Sequence, residues 1–174
     1  MPQILRFNAS MSAAFPFDRI DRKILRQLQA DGRLTNQALS ERVALSPSAC
    51  LARVRRLEEA GIIQGYHARL DPFALEVGLV LFAEVALKAH GTEDLARFDE
   101  TIAAIPQIVE ASHVSGAYDY LLKVVVKDLA EWTRIGEQLT APEVGADRLN
   151  THVLLRKPKI FVGYPVADGP LGTG

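Results

Sequence analysis

The chain has 174 residues, 48% hydrophobic and 24% charged, which is room for one sizeable domain or two small ones. Its single cysteine, Cys50, excludes an intrachain disulfide, and no apolar run reaches the ~20 residues that cross a bilayer. Net charge is −1 overall but uneven: residues 1–72 hold 11 Lys+Arg against 7 Asp+Glu (+4), and residues 73–174 hold 9 against 14 (−5), so two domains with different partners are expected, the basic one suited to phosphate.

Residues 1–17 lack periodicity and read as an arm, with Met11 an alternative start to Met1. The arm also lacks the cationic start and continuous apolar core of a secretory signal, so a cytoplasmic location is expected. In the next domain, residues 18–70, Ile20, Ile24, Leu25 and Leu28 recur at helical spacing, and Asp31 and Gly32 stop that helix. Thr35 caps a second helix with Ala38, Leu39 and Val43 inward, followed by a break at Ala44 and Leu45. Ser46 then stands at an N-cap with Pro47 at the first helical position, and Gly61 closes this third helix.

On the third helix Cys50, Val54 and Leu57 form the inward stripe; Ser48, Ala49, Ala52, Arg55 and Arg56 point away, with Arg53 on the flank. Small residues early and guanidinium groups later suit a helix entering the major groove of double-stranded DNA. The candidate DNA contacts are Ser46, Ser48, Ala49, Ala52, Arg53, Arg55 and Arg56. Three arginines within four residues are by themselves more often a solvated face, paired with neighbours such as Glu58 and Glu59. The complete order of helix, break and capped helix favours DNA. Residues 62–70, carrying Gln64, Tyr66, His67 and Arg69, alternate loosely and are expected to form a β wing.

Asp71-Pro72 ends the wing, and residues 71–78 form a linker. Residues 79–87 read as a buried strand, and Leu95, Phe98, Ile102 and Ile105 mark a helix stopping before Pro106. Strands over 108–114 and 118–126 meet through Ser115, Gly116 and Ala117 as a hairpin. Leu129, Trp132, Ile135, Gly136 and Leu139 give a second helix, and 149–155 a last strand. The domain at 79–157 is thus βαββαβ, a ferredoxin-like split sheet with two helices on one face, and the chain is α+β. Leu79 and Leu81 alternate with Val80 and Phe82, and Tyr118, Tyr120, Leu122 and Val124 with Leu121 and Val125. Both faces are therefore substantially apolar, and the uncovered one is expected to pack on a second subunit. Residues 158–174 are rich in Pro and Gly and read as a tail, with Ile160, Phe161 and Val162 available for a short edge strand or for tucking against a neighbour.

The hairpin is a second candidate site. Gly116 permits close backbone approach, and Asp119 stands near aromatic rings; exposed N–H groups suit a carboxylate, and Asp119 an ammonium. The simpler reading of these residues is a tight turn in which Asp119 caps backbone groups.

Three ordered motifs, DRIDRKIL, LSPSACLARVRRLEEAGIIQGY and HVSGAYDYLL, make the chain resemble the leucine-responsive and asparagine-regulator (Lrp/AsnC, feast/famine) family of transcription factors over about residues 18–157. The resemblance implies a winged helix-turn-helix followed by an effector domain that dimerises through its sheet, with dimers joining into octamers or other rings. It also implies amino-acid ligands around the hairpin, carried over to Gly116, Tyr118 and Asp119 with Ser115 adjacent, and no cofactor. Ala117 departs from the acidic or polar residue of many relatives, which bears on the identity of the effector. The expected function is sequence-specific regulation of transcription in response to an amino acid or related metabolite.

Two rivals stand beside it. His67, His90, His113 and His152 lie at no metal-ligand spacing, and phosphate loop, dinucleotide fingerprint and nucleophile elbow are all lacking, so the chain is not expected to be an enzyme. Siroheme decarboxylases nonetheless resemble the same two-domain arrangement. The other rival is an architectural protein that wraps DNA with little sequence preference.

Overall fold

The computed structural model describes residues 15–75 and 77–166, which divide into two compact units. One holds residues 15–69 together with 159–166; the other holds 70–158. The expectations for the arm before Phe15, for the choice between Met1 and Met11, and for the tail after Val166 lie outside the described residues.

The first unit is built on α1 (Arg19–Ala30), α2 (Asn36–Val43) and α3 (Pro47–Glu59). Each helix starts on a side chain that takes up orphan N–H groups. Asp18 accepts from Ile20 and Asp21, both at 2.8 Å, and Asp21 returns the favour to the Asp18 N–H at 3.1 Å. Thr35 accepts from the Ala38 N–H at 3.2 Å, and Ser46 from the Ala49 N–H at 3.3 Å. The break between α2 and α3 is made by Ala44 in the left-handed region, φ 58°, which lets the Leu45 N–H reach the Ser40 carbonyl at 3.0 Å. Ile24, Leu39, Val43, Cys50 and Leu57 are buried between the helices, with Phe15, Phe17, Ile20, Leu28 and Val54 packed around them. Each fully buried side chain of this size is worth about 1.5–3 kcal/mol, so this small cluster holds the three helices together.

The expected wing is not a strand. Residues 62–70 carry no ladder bonds, and no described strand lies beside them; a lone strand has nowhere to place its N–H and C=O groups. The segment is instead tied to the end of α3, the Ile62 and Ile63 N–H groups donating to the Leu57 carbonyl at 2.9 and 3.1 Å and the Tyr66 hydroxyl to Glu58 at 3.0 Å.

Residues 159–166 form no edge strand either; they lie along α1. The Gln29 amide acts as a substitute peptide, donating to the Tyr164 carbonyl at 3.0 Å and accepting from the Tyr164 N–H at 2.5 Å. Arg26 donates to the Val166 carbonyl at 3.2 Å. The approach is close enough that a Cβ on Gly163 would fall 2.6 Å from the Gln29 amide oxygen.

The second unit opens with a 3-10 turn, Pro72–Leu75, and runs β1 (Leu79–Leu87), α4 (Thr92–Ala103), β2 (Ile108–His113), β3 (Tyr120–Val126), α5 (Leu129–Thr140) and β4 (Ala146–Val153). The strands pair antiparallel in the order β2-β3-β1-β4, which is the expected split βαββαβ sheet. β4 begins three residues earlier than its apolar pattern suggests, because Ala146 pairs with Leu87 and is buried beneath the helices. Leu81, Ala83, Val85 and Leu87 from β1 and Tyr120, Leu122, Val124 and Val126 from β3 pack against Phe98, Ile102, Trp132, Ile135 and Leu139.

The opposite face departs from expectation. By register it presents Val80, Phe82, Glu84 and Ala86 on β1, Leu121, Lys123 and Val125 on β3, Glu110 and Ser112 on β2, and Arg148, Asn150 and His152 on β4. An apolar stripe on the two central strands is therefore interrupted and flanked by charge. Lys123 pairs with Glu110 at 3.6 Å and His152 with Glu84 at 3.4 Å. The alternation read from β1 and β3 alone overlooked the polar edge strands.

Candidate nucleic-acid interface and effector hairpin

On α3 the inward positions expected from the spacing are Cys50 and Leu57, both fully buried, and Val54, half-buried. Ser46, Ser48, Ala49, Ala52, Arg55 and Arg56 are exposed and Arg53 half-buried. The first turn thus offers hydroxyls and methyl groups to an approaching surface, with the Ser46 and Ser48 hydroxyls 3.2 Å apart. The three arginines are not equivalent. Arg53 donates to Asp21 at 2.9 Å and also to Asp18; Arg56 donates to the other oxygen of Asp21 at 2.5 Å and lies 5.1 Å over the Phe15 ring. Arg55 has no such carboxylate among the described residues.

In the hairpin, residues 114–119 form a loop longer than the three residues expected, closed by the Val114 N–H on the Asp119 carbonyl at 2.8 Å. Ser115 and Gly116 are exposed and Tyr118 half-buried. Gly116 has φ 138°, a conformation open to glycine and strained for other residues, and a Cβ there would meet nothing within 4 Å. Asp119 is turned inward to the end of β1. Its carboxylate accepts the Leu87 N–H at 2.7 Å and faces the His90 Nε2 at 3.0 Å. The Leu87 N–H, then His90, hold this carboxyl below its ordinary range, against the opposing effect of burial. Arg148 reaches the Ala117 carbonyl at 3.4 Å, and His113 stacks on Tyr120, whose hydroxyl donates to Asp99 at 2.9 Å.

Residues 17–64 match the family model described as winged helix-turn-helix DNA-binding, and residues 80–162 match the Lrp/AsnC ligand binding domain. The leucine-responsive regulatory proteins of Klebsiella pneumoniae and Escherichia coli are 41% identical to it over 142 residues, 82% of this chain and 87% of theirs. The chain belongs to the Lrp/AsnC family. Among solved structures, a transcriptional regulator from Neisseria meningitidis in complex with L-Met superposes with a TM-score of 0.78 at 34% identity, covering 86% of this chain and 96% of that one. An AsnC family transcriptional regulator from Agrobacterium tumefaciens gives 0.77 at 34% identity, covering 86% and 97%. As an Lrp/AsnC protein the chain is a transcriptional regulator that binds DNA through its helix-turn-helix. No helix among the described residues is long and apolar enough to cross a membrane.

Two features of this Lrp/AsnC chain escaped the sequence reading. His90, which follows β1, stands against Asp119 only because the sheet brings the ends of β1 and β3 together, and nothing local announces it. Asp21 did leave a signal: it falls inside the stripe of Ile20, Ile24, Leu25 and Leu28, where an acid is buried only with a partner.

Proposed function

We propose that this regulator reads double-stranded DNA through the outward face of α3 and answers to an amino acid, or a related metabolite, held at the β2–β3 hairpin. The observation that carries the reading is the solved relative in complex with L-Met, alike over 86% of the chain. At the DNA face, Ser46, Ser48, Ala49 and Ala52 allow close approach and Arg55 supplies the cationic contact, while Arg53 and Arg56 are turned towards α1. At the hairpin, Ser115, Gly116 and Tyr118 line the approach. His90 is 62% exposed, so a ligand ammonium can take its place on Asp119 while the Leu87 N–H stays.

The same reading includes assembly. Phe82, Leu121 and Val125 seat against a second copy, and the resulting two-fold axis presents two α3 helices to paired half-sites. Dimers join into octamers or other rings, the amino acid shifts that assembly or its geometry, and no cofactor takes part; the protein works in the cytoplasm.

The test is to incubate the protein with sheared genomic DNA near physiological salt, with and without an amino-acid mixture, and to sequence what stays bound. Discrete sites whose occupancy changes with amino acids are expected. Broad, unresponsive recovery would favour architectural wrapping instead. Asp119→Ala is expected to keep the sites and lose the response; a response at unchanged ligand concentration removes Asp119 from the pocket. Arg55→Ala is expected to weaken binding and reduce the slope of log affinity against log salt by ~0.9, one phosphate's share.

A further inference from the structure

Two of the three arginines on α3 are already occupied within their own unit. Asp21 is 0% exposed, and both its oxygens are used: one takes Arg53 at 2.9 Å, the other takes Arg56 at 2.5 Å and the Asp18 N–H at 3.1 Å. Asp18 adds a second carboxylate to Arg53 and is itself held by the Ile20 and Asp21 N–H groups. Arg56 has its guanidinium over Phe15. A buried carboxylate cannot be left alone without a penalty of several kcal/mol, so Asp21 demands these partners; the arginines, whose side chains are 30% (Arg53) and 48% (Arg56) exposed, have the alternative of phosphate.

We infer that Asp21 is a positioning and specificity-setting residue of the DNA interface, withholding Arg53 and Arg56 from the phosphate backbone and locking α3 against α1. Arginine–phosphate contacts add affinity for every sequence alike, and loosely held arginines find phosphates in any docking pose. Confining two guanidinium groups leaves α3 with Arg55 as its mobile cation and a single orientation in which its small residues meet base edges. The inference rests on the reading of α3 as the DNA-facing helix.

The experiment compares full-length wild type, Asp21→Asn and Arg55→Ala on a bound genomic fragment and on an unrelated duplex, over a range of salt. Asp21→Asn leaves Arg53 on Asp18 but takes from Arg56 its carboxylate, and is expected to steepen the salt slope on the unrelated duplex by ~0.9, one arginine's share, and to lower the ratio of specific to non-specific affinity. Arg55→Ala is expected to make the slope shallower. If Arg55→Ala does so while Asp21→Asn leaves slope and ratio at wild-type values, the inference is overturned and the reading of α3 stands. If Arg55→Ala changes nothing, α3 is not the DNA face and both fall. Should Asp21→Asn fail to fold, Arg56→Gln decides: a loss of slope well below that of Arg55→Ala supports confinement, and an equal loss overturns it.

Discussion

A methyl group on Gly78 would lie 2.0 Å from the carbonyl oxygen of Lys127, and the contact is with backbone, which has little room to yield. Gly78→Ala is therefore expected to destabilise the sheet unit by about 1–3 kcal/mol, read as a lower denaturation midpoint. Asp119 makes a prediction about acid. Its carboxyl is held below the ordinary 3.8 by the Leu87 N–H and His90. Its stabilisation is thus fully present above 3.8 and is lost as pH falls through the lower folded value; Asp119→Asn is expected to flatten that stretch of a stability profile measured by denaturation. The bland reading of Asp119, a carboxylate capping backbone groups, was legible from its place beside a glycine turn. Its partner was not, because His90 and Leu87 reach it only through strand pairing.

At the scale of elements, the turn between α2 and α3 rests on Ala44 at φ 58° and ψ 49°, a conformation that costs an L-residue roughly 1–2 kcal/mol. Ala44→Gly removes that strain but gives the unfolded chain more freedom, at roughly 0.5–1 kcal/mol. The net expectation is a gain of up to about 1 kcal/mol in chemical denaturation with DNA binding retained; a loss would show that Ala44's methyl group packs usefully. Helix starts were readable because a cap is local: Thr35, Ser46 and Pro47 act within four residues of themselves. The wing was not readable, since alternation over 62–70 describes side chains and says nothing about a neighbouring strand. The start of β4 was missed for a related reason, as Asp147 and Arg148 break the apolar pattern on a strand whose register is set by β1.

For the whole molecule, the open sheet face is the least settled by pattern. Its central residues Phe82, Leu121 and Val125 are only half-buried, and the polar contacts of Lys123 with Glu110 and of His152 with Glu84 give it a polar surround. That is the make-up of an interface with an apolar centre and a polar rim. Leu121→Glu places a new acid opposite Glu84 and next to the apolar centre, and under the proposed pairing through this face is expected to give a monomer in sedimentation where the wild type gives a larger species; an unchanged assembly would move the contact elsewhere. The order of strands and helices was legible because each helix and strand repeats its own period. What a face presents depends on all four strands, and the edge strands β2 and β4 carried the residues that changed the answer.

The strap of residues 159–166 along α1 has a consequence for how the chain is made. Residues 15–69 leave the ribosome before the strap, yet Gln29 and Arg26 must wait for Tyr164 and Val166 until everything between has been translated, on the order of 7–30 s at usual elongation rates. The helix-turn-helix is therefore born without its last piece. It is completed only in a chain whose sheet has already been synthesised, so a message cut short before that point yields helices that lack their strap.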